Sequence, residues 1–145
     1  MIHILVSSDT IDAGAELRAI HVDGAGGVAS FTGLVRGDDG VETLELEHYP
    51  GVTEAALTKL ADEAVTRWNL IGARIVHRVG VMVPGDTVVF VGAAARHRAA
   101  ALEACAYLID RLKTDAPFWK RETRAEGARW VEQRETDREA AAKWD

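Results

Sequence analysis

The ten residues Lys113-Thr-Asp-Ala-Pro-Phe-Trp-Lys-Arg-Glu122 constrain this chain more than any other stretch. Pro117 fixes its own φ, lacks an N–H and pushes Ala116 away from helical geometry. A helix arriving from the N-terminal side must therefore stop, turn a rigid corner and continue as an extended segment. Lys113 and Lys120 bracket that corner, with Phe118 and Trp119 between them. Two ammonium groups beside an apolar wall suit a pocket for an anionic, partly flat molecule. Desolvation there lowers a lysine pKa and makes the group usable in proton transfer.

Hydrophobic periodicity supplies the rest of the framework. Ile2–Val6 reads as a short strand. Ser8 or Asp9 is placed to cap a helix carrying Ile11, Ala15, Leu17 and Ile20, which Gly24-Ala-Gly-Gly27 breaks. Gly27–Val35 alternates as a strand, the loop Arg36-Gly-Asp-Asp-Gly40 follows, and Val41–Tyr49 alternates again. In this second strand Leu44, Leu46 and His48 oppose Glu45, Glu47 and Tyr49. The two strands are expected to pair as a hairpin. Thr53 is placed to cap a helix to about Trp68, with an apolar stripe of Ala56, Leu57, Leu60, Ala64 and Trp68 or Val65.

Ala73–Val79 and Thr87–Ala94 read as strands about the turn Val83-Pro-Gly-Asp86. The longest helix is predicted from His97 to about Leu112, burying Leu102, Cys105, Ile109 and Leu112. Trp119–Thr123 and Arg129–Glu132 read as short strands about Ala125-Glu-Gly127, and Thr136–Trp144 as a polar closing helix. Strands alternating with helices, with no repeat and no low-complexity linker, indicate one α/β or α+β domain over residues 1–145 with a mixed or antiparallel sheet.

Composition excludes several classes. A chain of 145 residues can bury a real core, and no apolar run approaches the roughly 18 residues of a membrane span. The start lacks a basic n-region and reads as a first strand, not a signal peptide. One cysteine, Cys105, leaves no internal disulfide and no multi-cysteine zinc site, so the expected setting is the reducing cytoplasm. The net charge of −6 argues against nucleic-acid binding. It is uneven, however: −7 over residues 1–95, +3 over 96–134 and −2 over 135–145. Cations gathered in one segment of an acidic chain point to a small anionic ligand or to a solvated basic face.

Arg96-His97-Arg98 stands where a strand hands over to a helix. Cations at a helix N-terminus oppose the macrodipole, and free N–H groups with guanidinium forks bind phosphate well. Arg36 ends an apolar strand beside a glycine-rich turn. Arg121, Arg124, Arg129 and Arg134 read individually as surface charges, His48-Tyr49 as a weak site candidate, and His77 as a residue without function. Cys105 sits among alanines, where a buried thiol is inert. Gly24-Ala-Gly-Gly27 precedes a strand and so is no dinucleotide loop, and no metal-ligand spacing occurs.

Helix geometry adds one inference. Lys113 follows His97 by 16 residues on what reads as one helix. At about 1.5 Å per residue they stand about 24 Å apart, too far to share a small ligand. Either they serve separate sites, or the His97-Arg98 end of one subunit completes the lysine pocket of another, which requires a symmetric dimer with composite sites.

Together these residues resemble the large, catalytic subunit of molybdopterin synthase. The matching pieces are Gly27-Val-Ala-Ser-Phe-Thr-Gly-Leu-Val-Arg36, Leu46-Glu-His-Tyr49, Arg78-Val-Gly80 with Pro84-Gly-Asp86, His97-Arg98, and the block Leu112–Glu122 followed by Gly127 and Trp130. The resemblance runs in order from about residue 3 to residue 144. It implies an α/β hammerhead with an additional antiparallel β-sheet. It also implies a sulfurtransferase that converts cyclic pyranopterin monophosphate into molybdopterin. The sulfur comes as a thiocarboxylate on the C-terminal Gly-Gly of a small ubiquitin-like partner whose tail threads into the pocket. Two large subunits form a central homodimer within a heterotetramer.

By matching position, Lys113 and Lys120 would be catalytic. Arg36, His97, Arg98, Phe31, Arg134 and Glu122 would bind the substrate. The resemblance implies no metal and no cofactor at this step. Leu102 stands where the family often has phenylalanine, and Arg96 is an added cation. The chain ends Ala142-Lys-Trp-Asp145, so it is not expected to be the sulfur carrier. The competing expectation is a non-catalytic domain that binds a phosphometabolite or similar anion.

Overall fold

A computed structural model describes residues 1–145. In chain order the elements are β1 (Ile2–Ser7), α1 (Ala13–Ala19), β2 (Gly27–Leu34), β3 (Thr43–His48), α2 (Val52–Trp68) and β4 (Gly72–Arg78). They continue with β5 (Gly80–Met82), β6 (Thr87–Ala95), α3 (Arg98–Asp115), β7 (Phe118–Arg124), β8 (Gly127–Val131) and α4 (Glu135–Ala142). The strands form two sheets ordered β1-β4-β6-β2 and β5-β3-β7-β8. The first is mixed, because β1 and β4 run parallel while β6 is antiparallel to β4 and β2. The second is wholly antiparallel. This is the expected α+β architecture with its additional antiparallel sheet. No helix is long and apolar enough to cross a membrane.

Strand β6 is the centre of the core. Its sequence, Thr-Val-Val-Phe-Val-Gly-Ala-Ala-Ala, is buried on both faces after its first residue. Val89, Val91, Ala93 and Ala95 pack with the helical side of the core, where α2 contributes Leu57, Leu60 and Ala64 and α3 contributes Ala104 and Leu108. Phe90 faces the other way and packs with Ile11 and Val76, flanked by Leu17 of α1. Small residues let strand and helix backbones close up here. At Gly26 an added Cβ would lie 2.2 Å from the Arg96 carbonyl oxygen, and at Gly27 3.0 Å from the Arg98 Cα. The glycine run therefore serves the close passage of β2 beside the start of α3.

Several expectations change. Strands β2 and β3 do not pair: β2 lies along β6, and β3 sits between β5 and β7 in the other sheet. Alternation fixes which face of a strand is apolar but not which strand lies beside it. The loop after Leu34 carries the chain between sheets. Helix α1 is capped by Asp12, whose Oδ1 accepts from the Ala15 N–H at 3.1 Å, not by Ser8 or Asp9. The short strand β5 was not foreseen. On α3 the buried residues are Ala101, Ala104, Cys105, Tyr107, Leu108 and Leu112, while Leu102 is 61% exposed and Ile109 half-buried. Near its start the helix buries Ala101 and Ala104, and turns Leu102 to solvent.

Thr53 is the most consequential difference. It does not cap α2, whose N-cap is Gly51. It is fully buried, and its hydroxyl accepts from the Tyr49 N–H at 3.0 Å and donates to the Pro117 carbonyl at 3.0 Å. One oxygen thus fastens the end of β3 and the start of α2 to the proline corner. We expect Thr53→Val, which keeps the shape, to strand both polar groups and destabilise the fold by about 1–3 kcal/mol. Urea unfolding with an unchanged slope checks this.

Candidate active site

The corner behaves as its sequence requires. Helix α3 runs unbroken to Asp115, Ala116 is extended at φ −84° and ψ 127°, and β7 begins at Phe118. Lys113 lies in the last helical turn, and Lys120 is the third residue of β7. Both line one cavity of about 390 Å³. Side chains two apart on a strand share a face, so Lys120, Glu122 and Arg124 all point to this cavity, and all three line it. Leu44 and Leu46 of β3, paired with Glu122 and Lys120, give it an apolar floor. The segment after β8 closes the far side. There the Gln133 side-chain amide donates to the Thr114 carbonyl at 2.9 Å, which brings Arg134 and Asp137 to the end of α3.

Five cations line the cavity, Arg36, Lys113, Lys120, Arg124 and Arg134, with five carboxylates, Asp38, Asp39, Glu122, Glu132 and Asp137. The pocket is therefore not a simple cationic trap, as the charge count along the sequence suggested. Selectivity rests on which charges are already paired. Glu122 is held by Arg124 at 3.0 Å, both side chains being mostly enclosed. Neither lysine forms an ion pair. Enclosure by the pocket walls lowers the pKa of Lys113, and the neighbouring Lys120 lowers it further, against a smaller opposing effect of Asp137. Lys113 keeps contact with solvent, so the shift eases proton release without storing much stability.

His77 was read as a residue without function, yet it lines the same cavity. It is 5% exposed and stacks on Phe118 with ring centroids 4.0 Å apart. Its Nδ1 lies 3.0 Å from the Arg78 carbonyl. Burial holds its pKa down to about 4, with Lys113 and His48 acting in the same direction. The imidazole is thus a neutral wall that adds no third positive charge beside the lysines. Cys105 is buried, and burial raises its thiol pKa to about 11, so it is inert as expected.

Of the eight positions singled out from the sequence, the pocket gathers Arg36, Lys113, Lys120, Glu122 and Arg134. It leaves out Phe31, His97 and Arg98. Phe31 is 39% exposed on β2, an edge strand. His97 is the N-cap of α3 and makes no side-chain capping hydrogen bond, and Arg98 begins the helix. The 18-residue helix keeps them about 24 Å from Lys113 at 1.5 Å per residue. Missed from the sequence were His77, Arg124 and Asp137. Arg124 was legible, because it continues the Lys120–Glu122 alternation. The other two depend on tertiary placement.

Fold and pocket together define a class: an α+β protein in which the longest helix and a separate antiparallel sheet close on a lysine-bearing cleft. The family model described as MoaE protein matches residues 6–115, and the chain belongs to that family. The molybdopterin synthase catalytic subunit of Pseudomonas aeruginosa is 50% identical over 147 residues, which span 98% of each chain. Among solved structures, the molybdopterin biosynthesis MoaE protein from Burkholderia ambifaria is 48% identical with a TM-score of 0.83, covering 99% of this chain and 98% of that one. Molybdopterin synthase from Staphylococcus aureus is 32% identical with a TM-score of 0.81, covering 90% and 96%.

His77 makes folding pH-dependent. Between its ordinary 6.5 and about 4, the unfolded chain binds a proton that the folded chain refuses. Stability contributed by the neutral imidazole is therefore present above pH 6.5 and lost as pH falls through that window, by on the order of 3 kcal/mol. We expect His77→Phe, which keeps a ring against Phe118, to flatten this loss. Unfolding free energies at pH 7 and pH 4.5 for both proteins measure it.

Proposed function

We propose that this chain is the sulfur-transferring half of molybdopterin synthase, acting on cyclic pyranopterin monophosphate in the cytoplasm, with residues 1–145 forming one catalytic-subunit domain. The observation that carries the reading is the pair Lys113 and Lys120, set into one cavity by the proline corner and free of ion pairs. A partner's C-terminal thiocarboxylate is an extended, singly charged tail. A cleft with an apolar floor and two unpaired ammonium groups matches it. Arg36 and Arg134, which both line the cavity, suit the flat pterin and its phosphate.

The chemistry follows from the lysines. An ammonium near the thiocarboxylate steadies its charge as the sulfur attacks a substrate carbon. A C–S bond forms as a C–O bond at that carbon breaks, and the departing oxygen takes a proton from a nearby acid. Water then cleaves the acyl–sulfur bond, leaving the sulfur on the substrate and a carboxylate on the tail. Lys113, whose proton is held less tightly than usual, suits the proton-transfer role. Lys120 suits charge stabilisation. Glu122, kept on its strand face by Arg124, borders the reacting centre.

His97, Arg98 and Phe31 belong to this function only if they act in a second subunit. The uncapped start of α3, with exposed Arg96, His97 and Arg98, would then supply the cationic surplus that the pocket's own balanced charges lack. Such a dimer, with one small sulfur carrier at each end, is the assembly we infer.

The test is reconstitution. Purified protein, thiocarboxylated small partner and cyclic pterin should yield molybdopterin. Lys113→Ala and Lys120→Ala should each lower the rate by about 10²-fold or more. No product with a functioning partner would reject the enzymatic reading in favour of a binding domain. Full rate in both variants would reject the lysine assignment.

A further inference from the structure

We propose that Arg124 is a positioning residue, whose guanidinium clamps the 36–40 loop to β7 and thereby sets where Arg36 stands at the lysine pocket. The proposal rests on the reading of Arg36 as an anion-holding residue of this site.

The loop between Val35 and Thr43 crosses from one sheet to the other, and its two ends are fixed by backbone. The Val35 N–H donates to the Asp86 carbonyl at 2.9 Å, and the Glu42 N–H to the Thr123 carbonyl at 2.8 Å. Between these points Gly37 passes Pro84 by contact alone. Arg36 meets only Asp38, at 3.9 Å, with both side chains largely in solvent. The one side-chain hydrogen bond into the loop's interior comes from Arg124, whose Nη1 donates to the Asp39 carbonyl.

Asp39 is left-handed at φ 61° and Gly40 follows at φ 76°. Aspartate visits this region more readily than most residues, so the turn stays in one arrangement only if a contact holds it. Arg124 is well placed to do so. Its side chain is 14% exposed, and its Nη2 is braced on Glu122 at 3.0 Å. Its Nε is enclosed without a partner, so the group is committed to the clamp and not to solvent. Losing the guanidinium frees the Asp39–Gly40 turn to relax, and the Arg36 side chain, held at its backbone only on the Val35 side and paired with Asp38 inside the same loop, moves with it.

A double-mutant cycle in the assembled enzyme, supplied with thiocarboxylated partner, tests the coupling. Arg124→Ala is expected to raise KM for the cyclic pterin about tenfold, the size of one charge-assisted hydrogen bond. Arg36→Ala should raise KM at least as much, and the double variant should be no worse than Arg36→Ala alone. Arg124→Gln, which keeps an N–H donor for the Asp39 carbonyl, should recover most of the loss and guards against a merely unfolded alanine variant. A raised KM in Arg36→Ala with additive effects overturns the clamp alone, as does a glutamine variant as impaired as the alanine one. An unchanged KM in Arg36→Ala overturns the reading of Arg36, and the clamp with it.

Discussion

The Thr53 hydroxyl ties the two halves of this molecule together. Through it the Tyr49 N–H, at the exit of β3, and the Pro117 carbonyl, at the entry of β7, share one buried oxygen. Proline decides that α3 must end; the threonine decides where the chain goes next. With the corner fixed, β7 is held beside β3 in register, Lys120 falls opposite Leu46, and the last turn of α3 hangs over the same floor. The pocket is the space left between an obligatory helix end and the strand that follows it.

Electrostatics then works by subtraction. The cavity has as many carboxylates as cations, so bulk charge draws nothing in. What distinguishes its groups is which of them are already satisfied. Glu122 is engaged by Arg124, and burial keeps His77 neutral. The two lysines are left unpaired to meet an anion, and at Lys113 enclosure and the neighbouring Lys120 make the ammonium yield its proton more readily. A site built this way depends on residues that never touch the reacting atoms.

Much of this was legible in the sequence. The proline corner, the lysines flanking it, the β7–β8 hairpin and the long helix follow from local rules about φ, turn chemistry and periodicity. The misplacements share one cause. Which strand pairs with β2, which face of α3 is buried and what Thr53 bonds to are all decided by distant parts of the chain. Leu102 illustrates it: the most apolar residue near the start of α3 faces outward, while Ala101 and Ala104 pack inward. Arg124 was the avoidable miss, since strand alternation alone aligns it with Lys120 and Glu122.

The length of α3 makes the sharpest demand on any account of this site. Eighteen helical residues keep His97 and Arg98 away from the pocket of their own subunit. If His97 and Arg98 serve this pocket, the start of α3 in one copy completes the lysine pocket of another. Inactive Lys113→Ala and Arg98→Ala proteins, mixed and allowed to exchange subunits, measure this directly. Mixed dimers contain one intact composite site, so activity should return to about a quarter of the wild-type value at equal mixing, half the dimers being mixed and each having one working site of two. No recovery in mixtures shown to contain mixed dimers would contradict the account.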